Sequence, residues 1–357
     1  MSDLIEIPVI DLRDGGTLRH AMAGKERALG LRAAVLGWFP RIMRPLTPQL
    51  DGIARGWLER SKSPYLEELR AVAAALGFPG IWFLNGSYQW GCTSLACDQT
   101  VPWLVRTLDW PYPGLGRYVD IALMRGPAGE FINLTWAGYV GALSACAPGR
   151  FAACLNQAPM WRRSQSRALR FYDVAANAVG TYCNMRDIPP DQLLRQVFET
   201  CADYREARRI LETTPVARPV IFTLAGIRPG ECCVIERTET GARTRERDTG
   251  AANDWIEPHP RWEARIGFSK ALTSTFREAA DYSHQRRTAL AAWPGEFANS
   301  RFGWLSPPVL NAYTRVGIEM CAARGLVRAV GYERARHEEL ARPVTQPREF
   351  AAERLAA

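Results

Sequence analysis

Cys92 sits in the run Gly91-Cys92-Thr93-Ser94, with Cys97 after a gap of four residues and Arg106 and Asp109 further downstream. A cysteine in this setting can be a small buried residue, half of a metal or disulfide pair with Cys97, or a nucleophile. Metal is disfavoured, because no second Cys or His pair stands at zinc spacing. The nine cysteines, at 92, 97, 146, 154, 183, 201, 232, 233 and 321, form no disulfide framework and read as mostly buried, reduced thiols. The nucleophile reading needs a base. His20, His259, His284 and His337 are the only histidines, and all stand in polar stretches that read as exposed. A base can also arise from the backbone: cutting the Gly91–Cys92 bond would give Cys92 a free α-amine, with an ordinary pKa of roughly 7.7–8.0.

A hairpin would bring these groups together. With its turn near Gln99-Thr100, Cys92 lies opposite Thr107, and Arg106 and Asp109 flank that position. An arginine beside the thiol lowers its pKa and favours the thiolate. The bland alternative for Arg106 and Asp109 is a surface ion pair of little energetic weight.

Further elements must position this hairpin. Thr17–Phe39 reads as a long helix broken at Gly30 and ended near Pro40. Pro64–Leu76 reads as a second, with Ser63 as N-cap and Gly77 as its stop. Cys92–Cys97, Trp103–Leu108, Tyr118–Arg125, Phe131–Trp136 and Phe151–Asn156 carry strand patterns, as do Pro219–Ala225 and Glu231–Arg237. Asp191–Glu212, Ala264–Trp293 and Val309–Arg324 read as helical. Strands in the middle with helices before, between and after predict an α+β or layered sandwich; no GxGxxG or GxxxxGK[ST] loop is present.

Composition bounds the function class. The chain has 357 residues, 47% hydrophobic and 23% charged, as a globular protein would. No apolar run approaches the roughly 18 residues of a membrane span. The opening MSDLIEIPVIDLRDGG lacks a basic then apolar leader pattern, so a cytoplasmic location is expected. The net charge of +8 is almost all arginine, since Lys25, Lys62 and Lys270 are the only lysines. Its spread along the chain, with knots at 205–209 and 243–247 but no nucleic-acid motif, argues against a nucleic-acid partner.

The block Gly-Cys-Thr-Ser followed by Arg106-Thr-Leu-Asp109-Trp110 resembles the cysteine N-terminal nucleophile hydrolases, the group of acid ceramidase, N-acylethanolamine acid amidase, choloylglycine hydrolases and penicillin acyltransferases. The segments from Ala137 to Ser144 and from Ala147 to Asn156 are similar to the acid ceramidase segment that leads to its Leu-Asn. Those from Tyr204 to Pro215 and from Ala252 to Trp255 look like further stretches of the same enzymes. The resemblance runs loosely from about residue 64 to 325 and is most specific in the Cys92 block and in Gly138–Asn156.

The resemblance implies an αββα four-layer sandwich and self-cleavage after Gly91. The products would be a helical segment, 1–91, and a catalytic domain, 92–357, which stay associated. It implies Cys92 as nucleophile with its α-amine as base, Asp109 holding the amine and Arg106 biasing the thiol. Asn253 would donate to the oxyanion, Asn156 would be a second polar residue of the site, and Arg286, with Arg265 as a rival, would complete it. It implies no metal and no cofactor. Trp110, Trp136 and Tyr139 are the expected substrate-binding aromatics, within a wider set that includes Trp103, Tyr112 and Met160. The stretch with Leu36, Trp38, Phe39, Ile42 and Met43, edged by Arg32, Arg41 and Arg44, is a candidate for peripheral membrane contact. The expected reaction is hydrolysis of a linear amide C–N bond in a lipid-derived N-acyl amide. An acyltransferase using the same thioester, and a non-catalytic binding protein on a decayed scaffold, are the alternatives.

Overall fold

The computed structural model describes residues 4–86, 91–164, 166–184, 186–257, 259, 261–263, 275–335 and 340–352. The chain opens with strand β1 (Val9–Asp11) and the helices α1 (Gly16–Ala23), α2 (Lys25–Trp38), α3 (Thr47–Leu58), α4 (Leu66–Leu76) and α5 (Ile81–Gly86). The hairpin β2 (Gly91–Asp98) and β3 (Pro102–Asp109) follows, then the short α6 (Leu115–Tyr118) and β4 (Asp120–Gly126), β5 (Gly129–Thr135), β6 (Ser144–Ala147), β7 (Phe151–Gln157) and β8 (Met160–Trp161). Next come α7 (Arg170–Asn184), α8 (Pro190–Thr200) and α9 (Tyr204–Thr213). They precede β9 (Val220–Ala225), β10 (Cys232–Arg237), β11 (Ala242–Arg245), β12 (Gly250–Ala251) and β13 (Trp262–Glu263). The chain ends with α10 (Phe276–Ala291), β14 (Thr314–Cys321), β15 (Leu326–Glu333), β16 (Arg342–Pro343) and β17 (Arg348–Ala351).

Two sheets carry the fold. One runs β1-β4-β5-β6-β7-β9-β10-β11; the other runs β12-β2-β3-β14-β15-β16, with β17 also on β15. Strands β2 and β3 pack against β7 and β9, so the sheets lie face to face. Helices α8 and α9 cover the outer side of the first sheet and α10 the outer side of the second. This is the expected α+β sandwich, with helix, sheet, sheet and helix in layers. Alternation decides which side chains enter each layer. Cys92, Ala96, Leu104 and Leu108 join the core between the sheets. Leu95, Trp103 and Val105, from the same two strands, join the core under α10 with Leu290 and Phe297. Among the described residues, no helix is long and apolar enough to cross a membrane.

Several expectations are corrected. The long first helix breaks at Gly24, not Gly30. Gly30 stays helical because α2 docks there on Tyr118, whose ring atoms come within 2.5 Å of where a Cβ would stand. The N-cap of α4 is Tyr65, whose N–H is accepted by Ser63 Oγ. Asp191–Glu212 is two helices, because the Asp203 side chain accepts from Glu206 N and starts a new one. Of Ala264–Trp293, residues 264–274 lie outside the described residues; the helix observed is Phe276–Ala291. Val309–Arg324 is not helical. It holds β14, the strand between β3 and β15, where Val316, Ile318 and Met320 alternate with Gly317 and Glu319 at the strand period.

The first 91 residues are woven into the sandwich. β1 pairs in parallel with β4, and Ile5 bridges to Thr345. His20 contacts Asp120 at 2.9 Å, with both side chains fully buried, and Arg27 reaches the other oxygen of Asp120 at 2.7 Å. Asn85 donates to Gly138 O and accepts from Val140 N, both at 2.8 Å.

Candidate active site

Strand register sets the site. Cys92 faces Leu108, Ser94 faces Arg106 and Gly91 faces Asp109, one position away from the expected register. The loop holds three residues, 99–101, and Gln99 is tied to a distant segment through Gly295 O and Phe297 N. The shift matters because cross-strand partners share a face. Cys92 and Arg106 therefore point between the sheets, whereas Gly91, Thr93 and Asp109 lie on the face toward α10. The thiol and the carboxylate approach the same backbone, at Cys92, from opposite sides.

Arg106 is fully buried. Its Nη2 donates to Cys92 Sγ at 2.6 Å, and its Nη1 donates to Leu143 O at 3.0 Å and Ser144 Oγ at 2.7 Å. The strand–turn segment at 143–144 thus fixes the fork that meets the sulfur. Burial pushes the Cys92 thiol up to about 11, and the Arg106 guanidinium only partly opposes this. The expected net lowering does not hold in the uncut chain, because Cys92 has no exposed surface.

On the α10 side, Arg286 ties the other groups together. Its Nη1 donates to Cys92 O at 2.9 Å, Thr93 Oγ1 at 3.0 Å and Asp109 Oδ2 at 3.1 Å. Its Nη2 donates to Asn253 Oδ1 at 2.9 Å. The Arg286–Asp109 ion pair is buried on both sides. Arg286 therefore stands beside Cys92, Asp109 and Asn253, while Arg265, the other arginine expected as a candidate, lies outside the described residues.

Asn253 follows the short β12, which pairs with β2. Its Oδ1 accepts the backbone N–H of Cys92 at 2.9 Å, and its Nδ2 donates to Gln157 O at 2.8 Å. Asn156, on β7, donates from Nδ2 to Ser94 Oγ at 3.0 Å and Ala252 O at 3.2 Å. Both amide nitrogens are engaged, and Asn253 meets Cys92 N as an acceptor; the donation expected of it is to an oxyanion of the substrate.

Sequence reasoning missed several residues that touch these groups. Asn311 Nδ2 donates to Asp109 Oδ2 at 3.0 Å, and Thr314 Oγ1 donates to Asp109 Oδ1 at 3.1 Å. Ser283 Oγ accepts from Asn253 N at 2.8 Å, and Ser94 and Thr223 pair through their hydroxyls at 2.8 Å. Reading 309–324 as a helix hid Asn311 and Thr314; the alternation at Val316, Ile318 and Met320 was the available signal for the strand that begins at Thr314, and Asn311 stands in the turn before it. His20 is buried on Asp120, contrary to the exposed reading, while His259 and His284 are exposed as expected. His337 lies outside the described residues.

An apolar cavity, partly open to solvent, has Trp110, the residue after Asp109, in its wall. Leu31, Val35 and Phe39 of the α2 region, Ile81 and Leu84 of α5, and Trp110 and Tyr112 contribute to its wall. Trp110 and Tyr112 stack edge to face at 5.7 Å, and Tyr112 meets Trp38 at 4.8 Å, so an aromatic row runs from the site to the surface. Trp136 and Tyr139 are placed elsewhere in the core. Trp136 Nε1 donates to Leu115 O and Tyr139 OH donates to Asp191 Oδ2, both at 2.8 Å. Trp38, Ile42 and Leu46 are 42%, 85% and 47% exposed beside Arg41 and Arg44, so this apolar surface is not covered by the body of the protein.

No family model matches the chain. Among curated proteins, acid ceramidase of Rattus norvegicus is 30% identical over 246 residues, covering 62% of this chain and 57% of that protein. The N-acylethanolamine-hydrolyzing acid amidase of Cavia porcellus is 25% identical over 248 residues, covering 66% and 62%. The chain thus spans less than two thirds of the length of these relatives. Among solved structures, a Caenorhabditis elegans N-acylethanolamine-hydrolyzing acid amidase ortholog superposes with a TM-score of 0.43 at 20% identity, covering 65% of this chain and 93% of that one. By sequence, the chain is similar to acid ceramidases and N-acylethanolamine-hydrolyzing acid amidases, the proteins that its Cys92 block resembles.

Proposed function

We propose that this protein is a self-processing cysteine amidase that hydrolyses the linear amide bond of a lipid-derived N-acyl amide. The observation that carries the reading is the convergence on one residue. Arg106 reaches the sulfur of Cys92, Asn253 its backbone nitrogen and Arg286 its carbonyl, with Asp109 across the ladder from Gly91. A structural cysteine has no need of a buried guanidinium on its sulfur.

In the proposed reaction the bond between Gly91 and Cys92 is hydrolysed first, consuming one water and leaving a carboxylate on Gly91 and a free α-amine on Cys92. The freed α-amine of Cys92 then takes the Sγ proton as sulfur attacks the substrate's carbonyl carbon. The C–N bond breaks as the same amine returns that proton to the leaving nitrogen, and a thioester remains on Cys92. Water, deprotonated by the α-amine, hydrolyses the thioester to a carboxylic acid and regenerates the thiol. Arg106 provides positive charge beside the sulfur in a site with little solvent to do so. Asp109 and Asn253 supply acceptors that hold and orient the amine.

The acyl chain would lie in the apolar cavity between α2, α5 and the Trp110–Tyr112 pair. Most of that wall comes from residues before Gly91, and β1 and His20 tie the same segment to the sandwich. This supports a first fragment that stays bound after cleavage. The exposed Trp38, Ile42 and Leu46, flanked by Arg41 and Arg44, support peripheral contact with an anionic membrane surface, from which a lipid amide could enter.

Intact-protein mass spectrometry with a panel of N-acyl amides tests the reading. Two fragments divided at Gly91–Cys92, lost in Cys92→Ala, together with release of free fatty acid, are expected. A chain that stays whole and hydrolyses none of the panel would defeat it. Transfer of the acyl group to an added amine in preference to water would make it an acyltransferase.

A further inference from the structure

Asp109 is held on both of its oxygens by the segment that leads into β14. Asn311 Nδ2 is 3.0 Å from Oδ2, the oxygen that also receives Arg286, and Thr314 Oγ1 is 3.1 Å from Oδ1. The orientation of the Asn311 amide is fixed independently. Its Oδ1 accepts the backbone N–H of Tyr313 at 2.9 Å, so its nitrogen must face the carboxylate. The backbone N–H of Asn311 in turn donates to Thr314 Oγ1 at 3.0 Å, which leaves that hydroxyl's proton for Asp109. The ladder between β14 and β3 is irregular between Thr314 and Val316, where Thr314 pairs with Asp109 and Val316 with Leu108. A bulge of this kind re-aims the side chain beside it. The turn also grips the next residue, since Trp110 N donates to Tyr313 O at 2.8 Å.

We infer that Asn311 is a positioning residue of the reaction, one that holds the Asp109 carboxylate at the angle from which it receives the freed α-amine of Cys92. The inference rests on the amidase reading above. Arg286 alone would not fix that angle, because its Nη1 is shared among Asp109, Thr93 and the Cys92 carbonyl. The Asn311 amide has a rigid turn behind it and supplies the second donor to the same oxygen. Its carboxylate partner is 3% exposed, so water has little access to replace that donor.

The pair Asn311→Ala and Asn311→Asp separates this role from a structural one. Aspartate keeps an oxygen for Tyr313 N and so keeps the turn, but turns an acceptor and a like charge toward Asp109. Alanine loses the turn contact and the donor together. If Asn311 acts through Asp109, kcat falls about tenfold or more in Asn311→Ala with KM nearly unchanged, and further in Asn311→Asp. If it serves only the turn, Asn311→Asp retains more activity than Asn311→Ala, and the inference is overturned. Thr314→Ser should preserve kcat and Thr314→Val should lower it. This second pair retains a decisive readout if the Asn311 variants do not fold, and equal kcat in both would also overturn the proposal. The wild-type chain run in parallel distinguishes the two levels. If it neither splits at Gly91–Cys92 nor hydrolyses any N-acyl amide, the amidase reading fails and this inference fails with it. If it does both while the variants keep wild-type kcat, only the inference fails.

Discussion

Asn253 receives the backbone N–H of Cys92 on its Oδ1 at 2.9 Å, while its own amide nitrogen is bound to Gln157 O at 2.8 Å. The contact runs in the direction that holds an amine, not the direction that stabilises an oxyanion. Asn253→Asp keeps an oxygen there; Asn253→Ala does not. Cleavage at Gly91–Cys92, followed by intact mass over time, should be slower in Asn253→Ala than in Asn253→Asp, by about tenfold. Equal loss in both would return Asn253 to the donor role.

A side chain at Gly91 would be tightly packed. A Cβ there would stand 3.2 Å from the Cβ of Asp109, which Asn311, Thr314 and Arg286 hold in place. Gly91→Ala should cost roughly 1–3 kcal/mol as overpacking. It should slow cleavage while leaving the far-UV circular dichroism spectrum as it is. Cleavage at the wild-type rate would show that Asp109 moves freely.

Alkali should weaken the fold. Burial raises the thiols of Cys92, Cys201 and Cys233 from 9.0 to about 11, and that of Cys97 to about 12. Below about pH 7.5 both the folded and the unfolded chain keep these protons and the thiols contribute almost nothing to the pH dependence. Between about pH 8 and 11 the unfolded chain releases them while the folded chain holds them, so stability falls as pH rises. Buried Tyr112 and Tyr332, raised to about 12, add the same sign above pH 10. Urea midpoints should be level from pH 6.5 to 7.5 and drop progressively by pH 10.5; a midpoint that stays level throughout contradicts this.

The cavity should set acyl-chain length. Val35→Trp places a large ring in the wall formed with Leu31, Phe39 and Leu84. Each methylene it excludes forfeits about 0.8 kcal/mol of burial, roughly a fourfold loss in kcat/KM per methylene for long chains, while short-chain amides are spared. A uniform loss across chain lengths would place the acyl chain elsewhere.

Ile42 is 85% exposed and Trp38 42%. Trp38→Ser with Ile42→Ser should reduce sedimentation with vesicles containing phosphatidylserine and leave hydrolysis of a soluble short-chain amide unchanged. Undiminished sedimentation would remove this patch as the contact surface.

Most of the strands were legible because their alternation is strong, as in Cys92–Cys97 and Phe151–Asn156. The stretch Val309–Arg324 was not, since its apolar residues at 316, 318 and 320 were read with the wrong period. That single error concealed Asn311 and Thr314, although both are on the catalytic carboxylate proposed here. The register of β2 on β3 could not be read from local turn chemistry, because Gln99 bonds to residues nearly two hundred positions away. Cys92, Arg106, Asp109, Asn253 and Arg286, expected from the sequence to belong to one site, lie in contact in the fold. Their division between two faces of the hairpin, and the dominance of burial over Arg106 at the thiol, are properties of packing. Trp136 and Tyr139 were read as substrate contacts on residue type alone, and type does not distinguish a cavity wall from a core.

Strand β1 is three residues long, yet it is the last strand on its side of the eight-stranded sheet, hydrogen-bonded to β4 at Val9, Ile10 and Asp11. Beneath it, β4 reads Asp120-Ile-Ala-Leu-Met-Arg-Gly, buried over its first five residues. An unpaired edge of that character is a template for other chains. The segment before Gly91 thus covers that edge, and a chain made from residue 92 onward should precipitate unless residues 1–91 are supplied in trans.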